Sequence, residues 1–403
     1  MNDLSTSNVS TTTEQAHPTA DRLTWGALLV MACTTFVVIM TETLPAGLPS
    51  GLASGLRISQ GTAGQLVSVY ALGTVLAAIP ATAMTRGLRR KPVLIGGLAG
   101  FLVTNTVTAL APSLAVALVA RLLAGAFAGL LWSMLAGYAR RIVPERFAGR
   151  ALAVAMAGTP IALAVGTPVG SWLGSVTDWR WAFGVMSALS VVTIVWALLV
   201  VPDAPGQERQ ARKPLLKVAA IPGVVPILVT VVTWMFAHNV LYTYVGPYLH
   251  GFGISLDVDL ALLIFGIASL LGLVITATVV DRALRRITLG ALALFLAAAV
   301  LLGTGAVSGV PAVVGLVLWG LGFGGAATQM QTALAEAAGP DTDVAVSVFT
   351  VAFNLAIAIG GVIGGVLVEG AGATGLPVAM GAAALVPFGA VLLSRRTAFP
   401  TGR

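Results

Sequence analysis

The sequence predicts an all-α polytopic membrane protein of twelve transmembrane helices, arranged as two pseudo-symmetric six-helix bundles. Three observations predict it. Of 403 residues, 57% are hydrophobic and only 9% charged, against about 25% charged in an average soluble domain. The apolar residues fall in runs of about 20, the length that crosses roughly 30 Å of hydrocarbon. Basic residues collect in every second gap between those runs, which is the pattern that orients membrane helices.

Taken in order, residues 1–22 are rich in Ser and Thr and read as a disordered cytoplasmic tail. The first apolar run starts only near Thr24, with no basic stretch leading into a short apolar core and cleavage site, so it reads as a permanent span. Spans are expected at 24–44, 62–84, 92–111, 113–138, 147–173, 180–201, 219–241, 258–280, 287–307, 311–334, 343–368 and 372–394. Residues 23–201 would form the first bundle and 219–394 the second, joined by the cytoplasmic linker 202–218 and closed by a cytoplasmic tail at 395–403.

Charge tests the count. With the amino terminus inside, the inner segments collect Arg22, the group from Arg86 to Lys91, and Arg140, Arg141, Arg146 and Arg150. They also collect Arg209, Arg212, Lys213, Lys217, Arg282, Arg285, Arg286, Arg395, Arg396 and Arg403. Outer segments hold only Arg57 and Arg180, so the division is 19 against 2, with Arg121 alone inside a span. A miscounted span would scramble that alternation. The expectation is a multi-pass protein of the cell membrane, both termini cytoplasmic. Trp172, Trp179 and Trp181 around one outer turn, and Tyr244 and Tyr248 after span 7, are expected at the headgroups.

Other classes fit poorly. The net charge of +7 lies in small clusters rather than one patch interleaved with aromatics, so no nucleic-acid partner is expected. Cys33, the single cysteine, has no disulfide partner and no metal-ligand spacing, and reads as a packing residue. His17, His238 and His250 are scattered over tail, span and outer loop, so neither a metal, a cofactor nor an enzymatic cluster is expected. The run Gly360-Gly361-Val362-Ile363-Gly364-Gly365 lacks the Lys-Ser/Thr ending of a phosphate loop and reads as close helix packing.

The chain echoes itself. Thr85-Arg86-Gly87-Leu88-Arg89-Arg90 follows span 2 and Asp281-Arg282-Ala283-Leu284-Arg285-Arg286 follows span 8, an offset of 196 residues. Duplicated halves of this kind are common among transporters.

Three further segments carry chemistry. Arg121 opens Arg121-Leu122-Leu123-Ala124-Gly125 in span 4, about eight residues or 12 Å from the outer end. A guanidinium at that depth costs at least about 2.5–3.5 kcal/mol, so it should face a hydrated cavity or a carboxylate, or else snorkel. Gly125 and Trp132 share its face. In span 5, Gly166-Thr167-Pro168-Val169-Gly170 combines a proline that kinks a helix with glycines that admit a close neighbour. At the end of span 1 stands Thr41-Glu42-Thr43-Leu44-Pro45-Ala46-Gly47-Leu48-Pro49, whose Glu42 either meets Arg121 across a cavity or lies exposed at the outer interface.

With these motifs in this order, over about 24–394, the sequence resembles the Major Facilitator Superfamily. Within it, the chain is similar to the twelve-helix drug:proton antiporters, among them bacterial exporters of sugars, purine nucleosides and drugs such as chloramphenicol. The family's loop signature is Gly-x-Leu-Ala-Asp-Arg-x-Gly-Arg-Arg/Lys; here Thr85 replaces its Asp and Leu88 its second Gly, while the second copy keeps Asp281 and Arg282. The resemblance implies a cytoplasmic gate of Arg86, Arg89, Arg90, Asp281, Arg282, Arg285 and Arg286; as plain residues, these charges also read as topology signals alone. Gly166, Pro168 and Gly170 correspond to the antiporter pattern Gly-Pro-x-x-Gly-Gly, departing from it by the inserted Thr167. Glu42 with Arg121 is the expected proton-coupling pair.

Polar and aromatic residues inside spans supply a substrate lining. Trp234, His238 and Tyr242 recur every four residues in span 7, and Ser347, Thr350 and Asn354 form a stripe in span 11. Gln331 near Thr328, and Trp132, complete the set. Each also reads as an interhelical packing or hydrogen-bonding residue. The function expected is a monomeric secondary active transporter that exports a small molecule, drug or metabolite, by alternating access and proton antiport. A sugar or nucleoside facilitator, or a proton-coupled importer, is the alternative on the same fold.

Overall fold

The computed structural model describes residues 25–85, 87–144, 147–206, 221–304, 309–339 and 342–399, less the side chains of residues 79, 82, 83, 149, 343 and 344. The expected tail 1–22, Arg86, Arg146, the linker beyond residue 206 and residues 400–403 lie outside the described residues. Among the described residues there is no strand.

The first half runs α1 (Trp25–Thr43), a 3-10 turn (Leu44–Gly47), α2 (Pro49–Leu56), α3 (Gln60–Thr85), α4 (Arg90–Ala109) and α5 (Leu114–Arg141). The fifth crossing is broken into α6 (Ala148–Met156), α7 (Gly158–Ile161), a π turn (Ala162–Gly166) and α8 (Thr167–Val176), and α9 (Trp179–Val200) follows. The second half runs α10 (Val224–Tyr242), α11 (Val245–Gly251), α12 (Val258–Gly303), α13 (Val310–Phe323), α14 (Ala326–Ala338), α15 (Thr342–Gly370) and α16 (Leu376–Leu393). Short helices α2 and α11, which the hydrophobic pattern did not announce, occupy corresponding places after the first and seventh crossings. Helix starts follow local chemistry: Gly223 at φ +97° opens α10, and the Asp178 carboxylate caps α9 by accepting from Arg180 N at 2.8 Å.

Among the described residues eleven helical segments are long and apolar enough to cross a membrane. One of them, α12, has 46 residues and non-helical dihedrals at Ala283. It folds back there. A Cβ on Gly272 would meet the Leu321 backbone and one on Gly322 the Ala291 backbone, yet residues 272 and 291 of a straight helix would stand about 28 Å apart. Both arms therefore flank α13, and the crossings among the described residues number twelve. The turn falls among Asp281, Arg282, Arg285 and Arg286, where charge makes continued passage through lipid costly.

The core is divided in the same way. Two clusters of buried side chains belong to the first half, and a third belongs to the second half, joined by Ala46, Val67 and Ala71 from the first. Outside, Val119, Val192, Val274, Val366 and Val378 are each more than half exposed. So apolar an exterior is stable only in lipid. This is a multi-pass membrane protein.

Three of the expected headgroup aromatics are elsewhere. Trp172 and Trp181 are exposed, but Trp179, Tyr244 and Tyr248 are buried. Trp179 lies over Gly51 and Gly55 of α2, and Tyr248 donates to Leu302 O at 3.0 Å. For the two tyrosines a carbonyl inside the protein satisfies the hydroxyl as well as a lipid headgroup would; Trp179 Nε1 makes no hydrogen bond, and its ring is held by packing.

Candidate functional site

The site begins where α1 stops. Pro45 has no N–H to give Thr41 O, and the 3-10 turn shortens the following bonds, so the carbonyls at the end of α1 turn outward unsatisfied. Arg121, fully buried on α5, takes them. Its NH1 donates to Thr41 O, its NH2 to Glu42 O at 3.2 Å and its Nε to Leu66 O at 3.1 Å. The guanidinium also sits 4.6 Å from the Tyr70 ring centroid, a cation–π contact worth about 2 kcal/mol when desolvated. Tyr70 OH donates to Val38 O at 3.0 Å, and Asn105 Nδ2 to Thr41 Oγ1 at 3.0 Å. Arg121 and Glu42 are thus brought together, but through the backbone. Carbonyls at the negative end of the α1 dipole, rather than a carboxylate in direct contact, hold the buried cation.

The Glu42 carboxylate is left without a partner. Its residue is 8% exposed, and among the described residues no hydrogen bond or ion pair reaches its side chain. It lies within electrostatic range of Arg121, Tyr70 and Tyr242. Next to it, Thr43 Oγ1 is 2.8 Å from Thr167 Oγ1, and Ser171 Oγ donates to Gly47 O at 2.5 Å. These contacts bind α8 to the end of α1. Gly166 lies where a Cβ would come within 2.4 Å of Met40 Sδ, and Gly170 where one would come within 2.4 Å of Leu44 Cδ1. The π turn before Pro168 absorbs one extra residue in the coil, and Gly266 of α12 packs directly onto Ala164 in it. The seam between the halves runs along this surface.

Across the seam, α10 presents Trp234, His238 and Tyr242, all buried. Trp319 Nε1 donates to His238 Nδ1 at 3.1 Å; an indole can only donate, so that ring nitrogen carries no proton of its own. The imidazole stacks on Phe323 at 3.6 Å and on Tyr242 at 4.8 Å, with Phe265 closing the cluster. Trp234 meets Phe295 edge-on, and its Nε1 has no hydrogen-bond partner. Asn354 is buried but spends its Nδ2 on Thr350 O at 3.0 Å, within its own helix, as Thr350 spends its hydroxyl on Val346 O. Trp132 is half-buried against the core of the first half. Gln331 is on the exposed face of α14.

From the two basic clusters, Arg89, Lys91 and Arg285 each bind within their own half. Arg89 pairs with Asp203 at 2.6 Å, and Lys91 Nζ donates to Leu198 O at 2.8 Å, so the turn after α3 grips the end of α9. Arg285 donates to Val391 O, Leu392 O and Phe399 O, so the turn inside α12 grips the end of α16. The grips are duplicates, 196 residues apart. Arg90 is buried; Asp281, Arg282 and Arg286 are exposed.

A family description, Major Facilitator Superfamily, matches residues 30–360. The chain belongs to the Major Facilitator Superfamily. A transcription regulatory protein, OpdE, of Pseudomonas aeruginosa is 30% identical over 94% of this chain and 96% of its own length. A purine ribonucleoside efflux pump, NepI, of Salmonella paratyphi B is 30% identical over 84% of this chain and 87% of its own. Among solved structures, the nucleoside transporter NupG superposes with a TM-score of 0.73 at 14% identity, covering 93% of this chain and 100% of that one. A POT family transporter in complex with 5-aminolevulinic acid also gives 0.73, at 13% identity, covering 92% and 95%. This superfamily member is a transporter.

Several residues of this Major Facilitator Superfamily protein escaped sequence reasoning. Gln329, two residues from Gln331, is the buried amide of α14, donating to Thr276 Oγ1 at 3.0 Å; helical phase at a broken crossing was the missing datum. At the arginine-poor end, α3 and α15 meet across the seam. Tyr244 OH donates to Gly61 O at 3.1 Å and Gly361 O at 2.7 Å, Gln65 Nε2 to Gly361 O at 3.3 Å, and Ser59 to the Glu369 carboxylate. Glycines 61, 64, 364 and 365 leave the room that Tyr244 and its neighbours fill. The glycine run of span 11 signalled close packing, but nothing local named its partner.

Proposed function

We propose that this transporter exports a small neutral molecule in exchange for protons, with purine nucleosides the first class to test. The observation that carries the reading is the Glu42 carboxylate, buried at the seam with no ion pair while the nearest cation is committed to backbone carbonyls. Ionisable groups kept at such depth are costly, and those in transporters commonly relay protons. Binding and release of a proton at Glu42 changes the charge between the halves without dismantling the Arg121 clamp. The 30% identity to a purine ribonucleoside efflux pump supports the substrate class, and the ring faces of Trp234, Tyr242 and Phe265 suit a planar heterocycle. The arginine-rich ends face the cytoplasm of the cell membrane by the positive-inside rule. Gates form alternately at the two ends, and one chain supplies both halves, so a monomer suffices.

Proteoliposomes test this with a labelled purine nucleoside, a pyrimidine nucleoside, a sugar and chloramphenicol as a panel. Wild type should accumulate the purine nucleoside against its gradient only when a pH gradient is imposed. Glu42→Gln should keep downhill exchange and lose accumulation. Proton-driven accumulation by Glu42→Gln would remove Glu42 from the mechanism. Full transport by wild type without a pH gradient would establish the facilitator instead.

A further inference from the structure

The duplicated grips at the arginine-rich end differ in charge. In the first half the chain leaves α9 at Val200, and Asp203, three residues on, turns back to the start of α4. Its carboxylate pairs with Arg89 at 2.6 Å and accepts from Lys91 N at 3.1 Å. In the second half the chain leaves α16 at Leu393, and the residue three further on is Arg396, next to Arg395. Arg285 stands where Arg89 stands, 196 residues later, but it finds carbonyls, Leu392 O at 3.1 Å and Phe399 O at 3.3 Å. Where the first grip has an acid, the second has an arginine.

The backbone at that place is fixed. Ser394 O accepts from Thr397 N at 3.2 Å and from Ala398 N and Phe399 N at 3.1 Å each. The tight turn so formed is anchored by the buried Phe399 and lies close to Gly223 at the start of α10. Arg395 and Arg396 are exposed on this turn, and Arg282 and Arg286 are exposed on either side of Arg285. The bonds of Arg285 therefore gather five arginines at one end of the half. Among the described residues no ion pair engages the four exposed ones. The described acids at this end are Asp281, in the turn of α12 itself, and Glu336 of α14, whose neighbour Ala337 lies against Gly223. Five cations face two anions.

Depth identifies what completes the balance. Leu392 and Leu393, just before the turn, are exposed, Leu393 to 87%. They continue the apolar exterior that lipid covers, so the arginines begin where that exterior stops, at the level of the headgroups. We propose that the turn after α16 and the turn inside α12 form a binding site for the phosphate of an anionic phospholipid, with its acyl chains along Leu392 and Leu393. Guanidinium forks suit phosphate oxygens because two parallel N–H donors meet two acceptors. The lipid phosphate bridges α12 to α16 as Asp203 bridges α4 to α9. The site does not depend on the exporter reading above.

The experiment uses the purified full chain in detergent, titrated with dioleoyl phosphatidylglycerol, dioleoyl phosphatidylcholine or inorganic phosphate. Bound lipid is counted by native mass spectrometry, and the unfolding midpoint is followed in parallel. Phosphatidylglycerol should be retained and raise the midpoint, while the other two do neither. Arg395→Gln with Arg396→Gln should weaken phosphatidylglycerol binding about 25-fold, at about fivefold for each arginine near a membrane surface. Arg282→Gln with Arg286→Gln, on the other turn, should weaken it to the same degree, and it tests the site should the first pair disturb folding. Arg140→Gln with Arg150→Gln removes as much charge from exposed positions of the first half and should leave this affinity unchanged. Equal weakening by all three pairs would mean attraction by net charge and overturn the site. Equal retention of phosphatidylcholine would overturn it as well, and a midpoint gain from inorganic phosphate matching that from phosphatidylglycerol would replace the lipid by a free anion.

Discussion

At the scale of single residues, Arg121 shows how a buried charge is kept. Its three donors meet three carbonyls of two helices, a fork that a lysine ammonium, as a point charge, cannot reproduce. Arg121→Lys is therefore expected to lose about 2 kcal/mol or more of stability, read as a lower unfolding midpoint in detergent. Glu42→Gln should cost less, because the clamp holds the Glu42 carbonyl and not its side chain. Equal losses in the two variants would mean that the carboxylate is part of the clamp. The depth of Arg121 was legible in the sequence; a meeting with Glu42 was one of two readings it left open. That the two would meet through backbone was not legible, since it depends on Pro45 freeing a carbonyl and on the rotation of α5 about its axis.

At the scale of elements, the crossing of α3 with α15 is built on missing side chains. A Cβ on Gly64 would lie 2.3 Å from the Tyr244 ring, a distance that forces the helices apart because a ring wedged between backbones has nowhere to go. Gly64→Ala is expected to keep the arginine-poor end from closing. Ser68→Cys, placed just below in a Cys33→Ser background, should then react about tenfold faster with a membrane-impermeant maleimide applied from that end. Adding Tyr244→Ala should restore the slow reaction. Equal rates in all backgrounds would show that this crossing does not govern access.

At the scale of the whole molecule, two halves carry the same device at the same end. The turn after α3 grips the end of α9, and the turn within α12 grips the end of α16. Each half is thereby tied to itself at its arginine-rich end, while the bonds from Tyr244, Gln65 and Glu369 join one half to the other at the opposite end. Rocking of rigid halves needs that division. Orientation is the test that belongs here. Ser59→Cys should be labelled by an impermeant reagent on intact cells, and Arg286→Cys only in inverted vesicles. The reverse pattern would turn the molecule over and make the proposed direction of transport wrong.

Crossings, their number and the placement of charge were determined by the sequence alone, because lipid demands about 20 apolar residues per crossing and penalises charge wherever it enters. The family followed from residue order in a few motifs. Tertiary structure alone decided which polar atoms meet: that Arg121 holds carbonyls, that the Glu42 side chain stays outside that clamp, that Gln329 rather than Gln331 is buried, and that Tyr244 is buried where α3 meets α15 instead of lying at a headgroup. The physical reason is that hydrophobicity is a property of composition, summed along the chain, whereas hydrogen bonds depend on helix phase and crossing angle. A π turn, a proline or a single non-helical residue such as Ala283 resets that phase, and no local pattern in the sequence records by how much.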